Sequence, residues 1–237
     1  MKTVIICTHG LIKDAPHDFD EFKKYIDENY NDYEVRLLML YDISDKRTYK
    51  YKRMASLLDA TIADYESRGY RIILVGYSFS CGLCAKMTKK HSIDRLVIVS
   101  PTLHILTQSG IRYYINMFFK AVRMRMKASV NKKRKQSLKK KNSFYLVNLL
   151  FSCFHVLHRT RRSFRLIHQP LMLMFGEKDE ITKPKYLCDI LKDAERSPFV
   201  DMRYYKGANH TFIMSRSIDK SRYYSDIVAF SSGIPVS

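Results

Sequence analysis

The sequence has no apolar stretch long enough to cross a membrane and no cysteine pattern typical of a disulfide framework. A membrane-spanning helix needs roughly 20 consecutive apolar residues, whereas the longest apolar-rich stretch, 144–157, is interrupted by Asn148, Ser152 and His155. The N-terminal MKTVIICTHG has too short an apolar run for a signal peptide and no cleavage site, so it is interpreted as a first strand. The five cysteines are scattered and odd in number, which favours reduced thiols in a cytoplasmic protein.

Acidic residues are absent between Asp94 and Glu177. That interval holds 17 of the 42 Lys and Arg residues, and the rest of the chain is nearly neutral, with 25 basic against 23 acidic residues. A net charge of +19 that is concentrated in this way is not typical of a uniformly basic nucleic-acid-binding protein. The excess charge instead indicates one basic module within an otherwise ordinary domain.

Short apolar segments alternate with helix-like segments along most of the chain. The predicted strands cover 4–7, 34–40, 71–75, 95–100, 170–175 and 199–205, and the predicted helices cover 18–29, 51–68, 80–90, 183–194 and 216–230. Continuous apolar runs are typical of strands that are buried on both faces of a parallel sheet. Joined by helical crossovers, such strands predict a doubly wound α/β sheet of about six mostly parallel strands with helices on both faces.

One connection, from Pro101 to Gln169, is far longer than a crossover helix requires. Its first half has apolar residues at helical spacing, its middle is the basic stretch NKKRKQSLKKKN, and its last part is an apolar segment that ends in HRTRRSFR. This pattern predicts an inserted helical cap. We therefore divide the chain into an α/β core of residues 1–103 and 169–237 and a basic helical cap of residues 104–168.

The pentapeptide GYSFS, residues 76–80, follows a predicted strand and opens a predicted helix. A tight turn between strand and helix would hold the hydroxyl of Ser78 above the carboxyl edge of the sheet, where open α/β sheets place their sites. A serine hydroxyl is a weak nucleophile, and it needs a histidine base that is oriented by a carboxylate. The alternative for Ser78 is a helix N-cap, a position that serine favours.

Two later loops supply a carboxylate and a histidine at the same edge. Asp179 follows the strand PLMLMF within GEKDEIT, and His210 follows the strand MRYY within KGANHTF. Because the ends of parallel strands face one side of a sheet, we expect Ser78, Asp179 and His210 to converge. Glu177 and Glu180 share the acidic loop and are alternatives to Asp179 that could instead cap the following helix.

The order serine, acid, histidine in these three contexts resembles the α/β-hydrolase superfamily, and the resemblance covers nearly the whole chain. GYSFS looks like its nucleophile elbow, GEKD its acid loop, GANHTF its histidine loop and THGL its oxyanion-hole segment. The resemblance implies that Ser78 is the nucleophile, His210 the base and Asp179 the orienting carboxylate. It also implies that the backbone N–H groups of Leu11 and Phe79 hold the oxyanion, that His9 is structural, and that no cofactor is needed.

Within the superfamily the chain is most similar to cap-bearing serine hydrolases such as monoacylglycerol lipases, small carboxylesterases and serine aminopeptidases. It departs from them at Ser80, where the elbow usually has a second glycine, and after Tyr41 and Asp42, where Arg-Gly-x-Gly is common. These departures concern the subfamily and substrate rather than the triad. The length of the chain implies that the first two strands of the superfamily are missing.

The remaining cysteines and histidines have simpler interpretations. Cys81 and Cys84 form a CxxC pattern, but the helix that carries them must pack on the sheet, which favours core packing over redox chemistry. The histidines show no metal-ligand spacing, and we predict no metal. His155 and His158 are one helical turn apart, which is typical of surface or cap-lining residues.

The sequence thus predicts an enzyme that hydrolyses carboxylic esters with an apolar acyl group, through an acyl-enzyme on Ser78. Thioester or peptide hydrolysis by the same triad, and a non-catalytic lipid-binding protein, are the alternatives. The basic run from Lys132 to Lys141 is either a solvated face or a surface that is attracted to anionic lipid headgroups. A nucleic-acid partner is disfavoured, because the aromatic residues of the cap do not lie among its lysines. We expect a cytoplasmic protein that is peripheral to the membrane if the cap binds lipid.

Overall fold

The protein is described from a computed structural model that covers residues 2–11, 17–42, 45–102, 149, 151–182, 184–214 and 220–233. Within these residues, six strands form a central sheet in the order β2-β1-β3-β4-β5-β6, and every neighbouring pair is parallel. The strands are β1 Thr3–Thr8, β2 Tyr33–Leu38, β3 Arg71–Tyr77, β4 Arg95–Val99, β5 Leu171–Lys178 and β6 Val200–Asn209. The predicted parallel sheet is therefore confirmed.

Helices cover both faces of this sheet, as predicted. They are α1 Asp20–Asn29, α2 Tyr51–Ser67, α3 Cys81–Met87, α4 at 151–160, α5 Pro184–Asp193 and α6 Ser221–Ser232. Alternate residues of β1 belong to different core clusters, with Val4 and Ile6 on the face of α2 to α5 and Ile5 and Cys7 on the face of α1 and α6. This two-sided burial explains why the central strands have continuous apolar sequences.

The helices pack through apolar residues at helical spacing. Met54, Leu58, Ile62 and Tyr65 form one buried stripe along α2. Burial of one such leucine or isoleucine side chain contributes about 1.5–3 kcal/mol to folding. Such stripes anchor the helical layer to the sheet and fix the strand ends relative to one another.

Two strands extend beyond their predicted ends, toward the predicted site residues. β5 was expected to end at Phe175 and β6 at Tyr205, but their pairing resumes after an irregularity and joins Lys178 to Asn209. Ala208 is the one apolar residue of the two extensions, 176–178 and 206–209, so hydrophobicity alone does not predict them. They carry both strands directly to Asp179 and His210.

The last part of the predicted cap packs into the core. Cys153 and Val156 of α4 are fully buried with residues of the sheet and of α2. Gly82 of α3 makes this close packing possible, because a Cβ atom there would lie 2.5 Å from the Thr160 hydroxyl oxygen. The first predicted cap helix and the basic run 132–141 lie outside the described residues, and the domain boundaries stay a prediction. Within the described part of the chain, no helix is long and apolar enough to cross a membrane.

Candidate active site

Ser78 occupies a strained turn between β3 and α3. β3 ends at Tyr77, a short 3-10 turn covers Ser78–Ser80, and α3 begins at Cys81. The backbone φ of Ser78 is 55°, a left-handed conformation that residues other than glycine rarely adopt. Such strain is found most often at functional sites, where the surrounding structure maintains it. Gly76 permits the turn, since a Cβ atom there would be 3.0 Å from the Cα of Cys81.

Ser80 stabilises this turn at the position where the elbow it resembles usually has glycine. Its hydroxyl accepts a hydrogen bond from the Tyr77 N–H at 3.1 Å and donates one to the Tyr77 carbonyl at 2.8 Å. The same oxygen lies 2.9 Å from the Thr8 hydroxyl, which in turn donates to the Val75 carbonyl at 3.1 Å. The departure from the usual elbow sequence therefore adds hydrogen bonds within the turn and places the Ser80 hydroxyl against Thr8 of β1.

The structure brings Ser78, His210 and Asp179 together. The His210 Nε2 atom is 3.0 Å from the Ser78 Oγ, and the His210 Nδ1 atom is 3.0 Å from each carboxylate oxygen of Asp179. All three residues are buried, with 4% of Ser78, 4% of His210 and 8% of Asp179 exposed. Asp179 and His210 each follow the last residue of their strand. This is why Ser78 meets His210, 132 positions away, and His210 meets Asp179, 31 positions away, at one edge of the sheet.

The surroundings of Asp179 favour its ionised form. Burial raises the pKa of the carboxyl group, but the hydrogen bond and charge of His210 and the backbone N–H groups of Thr182 and Ile181 outweigh burial and lower this pKa. Both N–H groups donate to Oδ1 at 2.8 Å. An ionised carboxylate holds the proton of the imidazole on Nδ1, so that the Nε2 lone pair faces the Ser78 hydroxyl.

Thr102 is a neighbour of Ser78 that the sequence analysis did not identify. Its hydroxyl oxygen is 3.0 Å from the Ser78 Oγ, and its N–H donates to the Ser78 carbonyl at 3.3 Å. It follows β4 by three residues, so its position at the carboxyl edge was the available signal. Ser100, between strand and threonine, also has a positive φ, of 44°.

A second threonine joins the acidic loop to this segment. The Thr182 hydroxyl donates to the Pro101 carbonyl at 3.0 Å, while its N–H donates to Asp179. Tyr77 similarly donates from its phenol to the His210 carbonyl at 3.1 Å. The loops that carry the three converging side chains are therefore joined to one another by buried hydrogen bonds.

The predicted oxyanion segment follows β1 at the same edge. His9 is fully buried, with Nε2 accepting from the Leu40 N–H at 2.9 Å and Nδ1 lying 2.6 Å from the Gly10 carbonyl. The Gly10 N–H donates to the Asp18 carboxylate at 2.7 Å, so this amide is already engaged. Leu11 is next in the chain, and β1 pairs with β3, which leads to Phe79. The assignment of the Leu11 and Phe79 amides to an oxyanion hole stays a prediction.

The cysteines that follow the turn are packing residues. Cys81 and Cys84 are completely buried, and burial raises the pKa of both thiols, that of Cys84 to about 12. A thiol with such a pKa contains almost no thiolate at neutral pH and is a poor nucleophile or ligand. Among the described residues, no group of three or more His, Cys, Asp or Glu side chains is arranged to bind a metal ion.

Many solved structures share this architecture. No protein-family model matches the chain, and no curated protein matches its sequence. The monoacylglycerol lipase of Paleococcus ferrophilus aligns with a TM-score of 0.63 at 15% identity, over 98% of this chain and 96% of that one. An esterase from Exiguobacterium antarcticum aligns with a TM-score of 0.64 at 11% identity, over 97% of this chain and 92% of that one.

A third structure, an α/β hydrolase enzyme from a lagoon-sediment metagenome, aligns with a TM-score of 0.62 at 18% identity, over 98% of this chain and 92% of that one. These identities are too low to transfer a substrate. The similarity to these structures over nearly the whole chain, together with the parallel six-stranded sheet of the described residues, shows that the protein has the α/β-hydrolase fold.

Proposed function

We propose that the protein is a serine hydrolase that cleaves carboxylic esters with an apolar acyl group. The observation that carries this proposal is the buried hydrogen-bonded chain from Ser78 through His210 to Asp179. Its geometry matches the requirement for a nucleophile within hydrogen-bond reach of a base that is itself oriented by a third group. The similarity in fold to lipases and esterases agrees with this reaction class.

In the proposed reaction, the Ser78 Oγ attacks the ester carbonyl carbon while its proton passes to Nε2 of His210. The new C–O bond gives a tetrahedral oxyanion, which the N–H groups of Leu11 and Phe79 stabilise. The bond to the leaving alcohol then breaks as His210 returns the proton to that oxygen. Water attacks the acyl-enzyme with His210 as base, releasing the carboxylic acid and restoring Ser78.

Thr102 has a positioning role in this proposal. Because the Ser78 hydroxyl donates its only proton to Nε2, the Thr102 hydroxyl must be the donor in the bond between the two oxygens. That bond fixes the rotamer of Ser78 and stabilises the negative charge that develops on its oxygen as the proton leaves. It holds the hydroxyl toward His210 before the substrate arrives.

A recess that begins at Tyr41 has one apolar wall, which supports the choice of an apolar substrate. Its volume is about 450 Å³; the apolar lining residues are Met39, Leu40, Tyr41 and Leu57, and the polar ones are Asp42, Thr48, Arg53 and Ser56. The ring of Tyr41 connects it to Phe79, with the ring centroids 6.1 Å apart. We assign the apolar wall of this recess to the apolar part of the ester. The apolar cap sequence favours the same substrate class.

Two further reactions use the same triad. Thioester hydrolysis needs the same groups, whereas an aminopeptidase needs acidic residues for a free N-terminus, and residues 104–168 contain none. The anionic membrane surface proposed as a partner would be contacted by the basic run that begins at Lys132. Liposome co-sedimentation that is unaffected when Lys132, Lys133, Arg134 and Lys135 are replaced by glutamine would eliminate this contact.

Labelling with a fluorophosphonate probe tests the proposed nucleophile. We expect the wild-type protein to be labelled and Ser78→Ala to be unlabelled, with Ser225→Ala, an exposed serine of α6, as the labelled control. A panel of p-nitrophenyl esters and the matching thioesters, with increasing acyl length, then measures substrate preference. Labelling that persists in Ser78→Ala would reject the assignment, and an unlabelled wild-type protein would favour the non-catalytic alternative.

A further inference from the structure

A recess lies on the exposed side of α4, and the described residues that line it all have basic or imidazole side chains. The lining residues are His155, His158, Arg159, Arg161 and Arg162, and the volume is about 450 Å³. The opposite side of the helix is anchored in the core through Cys153, Val156 and Thr160. The recess therefore lies on a fixed element, and none of its residues belongs to the Ser78 site.

No carboxylate neutralises this recess within the described part of the chain. Some exposed basic residues elsewhere have carboxylate partners: Arg165 lies 2.7 Å from Asp193, and Lys90 lies 2.6 Å from Asp59. Arg159, Arg161 and Arg162 form no such ion pair with a described residue. The sequence cannot supply a local partner either, because Asp and Glu are absent between Asp94 and Glu177.

A further cation lies beside the recess. The His155 ring makes an edge contact with Tyr51, with the centroids 6.0 Å apart. The Lys86 ammonium donates to the Tyr51 hydroxyl at 2.6 Å and lies 5.2 Å from the centre of its ring. Arg159, Arg161 and Arg162 line one recess and repel one another as like charges, and a bound anion would relieve that repulsion.

From this arrangement we propose that the recess binds a phosphate group, carried either by a soluble phosphate monoester or by the headgroup of an anionic phospholipid. Guanidinium groups present paired N–H donors that match the oxygens of a phosphate, and imidazole N–H groups add donors at the same rim. The site is separate from the proposed hydrolase function, so either proposal can fail without the other.

The test measures binding of inorganic phosphate by calorimetry at constant ionic strength, with chloride as the reference anion. The recess variant is Arg159→Gln/Arg161→Gln/Arg162→Gln. The control variant is Lys89→Gln/Arg196→Gln/Lys206→Gln, which removes the same charge from exposed positions elsewhere. We expect saturable binding whose Kd rises at least tenfold in the recess variant and less than twofold in the control.

Two further probes separate the sources of the phosphate. Glycerol 3-phosphate represents a soluble monoester, and phosphatidylcholine vesicles containing phosphatidic acid represent a membrane. Vesicle binding that is lost in the recess variant and is tighter than glycerol 3-phosphate binding identifies the headgroup, and the reverse order identifies a soluble ligand. Thermal unfolding and circular dichroism of each variant show whether its fold is retained.

Three outcomes would overturn the proposal. They are the absence of saturable phosphate binding by the wild-type protein, an equal loss in the recess and control variants, and unchanged binding in a recess variant that is folded. An equal loss would show that only the net charge attracts anions. Single-stranded RNA provides the same comparison, and we expect the two variants to weaken its binding equally.

Discussion

The candidate active site and the basic recess on α4 differ in the burial of their polar side chains and in whether those side chains have partners. At the carboxyl edge, Ser78, His210 and Asp179 are buried, and hydrogen bonds join each of them to a neighbour. On α4, exposed arginines lie side by side without a described carboxylate partner. A buried polar group without a partner costs several kcal/mol, whereas water solvates an exposed one. The buried side chains of the first site therefore need hydrogen-bond partners within the protein. The exposed arginines of the second site do not, because water solvates their charge.

The largest effect is expected from removing the Ser78 hydroxyl, which disrupts the buried network at its reactive end. If Ser78 is the nucleophile, Ser78→Ala lowers kcat for a p-nitrophenyl ester about a million-fold. Initial-rate kinetics measure this loss, with Ser225→Ala as a control that retains full activity. Residual activity within tenfold of the wild-type value would show that another group reacts with the ester.

Replacement of Asp179 should have the next largest effect. Asp179→Asn keeps the shape of the side chain but removes the charge that holds the imidazole proton on Nδ1, and we expect kcat to fall about 10⁴-fold. Glu180→Gln is the matched control, because it removes a carboxylate from the same loop. If Glu180→Gln lowered kcat as much as Asp179→Asn, the loss would not be specific to Asp179, and its assignment as the orienting carboxylate would be wrong.

Asp179 also predicts how stability depends on pH. Its folded-state pKa is lowered, so the ionised group contributes stability above its unfolded pKa of about 3.9, and this contribution is lost as pH falls through the folded pKa. The difference in Tm between wild type and Asp179→Asn should therefore be constant from pH 7 to about 5 and narrow below about 4. Thermal unfolding across this range measures it, and a constant difference at all pH values would contradict the stated cause.

A smaller effect is expected from a substitution at Thr102, which should leave the fold intact and allow the Ser78 side chain to rotate. Thr102→Val removes the hydroxyl with little change in volume, and we expect kcat to fall about tenfold with KM nearly unchanged, the loss of one hydrogen bond to a developing charge. Thr102→Ser should restore most of the rate. A purely structural role would predict a lower Tm and no recovery by serine.

The smallest change concerns the packing that holds α4, and with it the basic recess, against the core. Gly82→Ala places a methyl group against Thr160, and overpacking of this kind costs about 1–3 kcal/mol of unfolding free energy. The double variant with Thr160→Ala removes the nearest atom, so it should lose less stability than the two single changes added together. Denaturant unfolding measures the coupling, and strict additivity would show that the two residues do not press on each other.

The sequence predicts much of the fold and of the site because both follow from strand ends. Six apolar runs locate six strands, and a polar residue directly after each strand lies at a known edge. This is sufficient to bring Asp179 and His210 to Ser78. The choice between Asp179 and Glu177 needed coordinates, which show the Glu177 carboxylate accepting from the Gly207 N–H at 2.8 Å instead.

Other features of the site could not be inferred from pattern. Thr102 depends on a turn with a positive φ at Ser100, a conformation that no local sequence signal specified. The extended ends of β5 and β6 are polar and lack the apolar signature of their first halves. The predicted oxyanion role of Leu11 and Phe79 concerns backbone groups, for which the side-chain identity gives no information.

Ser80 has a consequence for how this elbow can vary among relatives. Its hydroxyl, in the turn after β3, lies next to that of Thr8 at the end of β1, so the two positions are expected to covary. A relative with glycine at position 80 leaves the Thr8 hydroxyl with only the Val75 carbonyl and the Cys84 thiol as described neighbours, and the requirement for a hydroxyl at position 8 becomes weaker. Sequences that share this elbow should therefore change at positions 8 and 80 together.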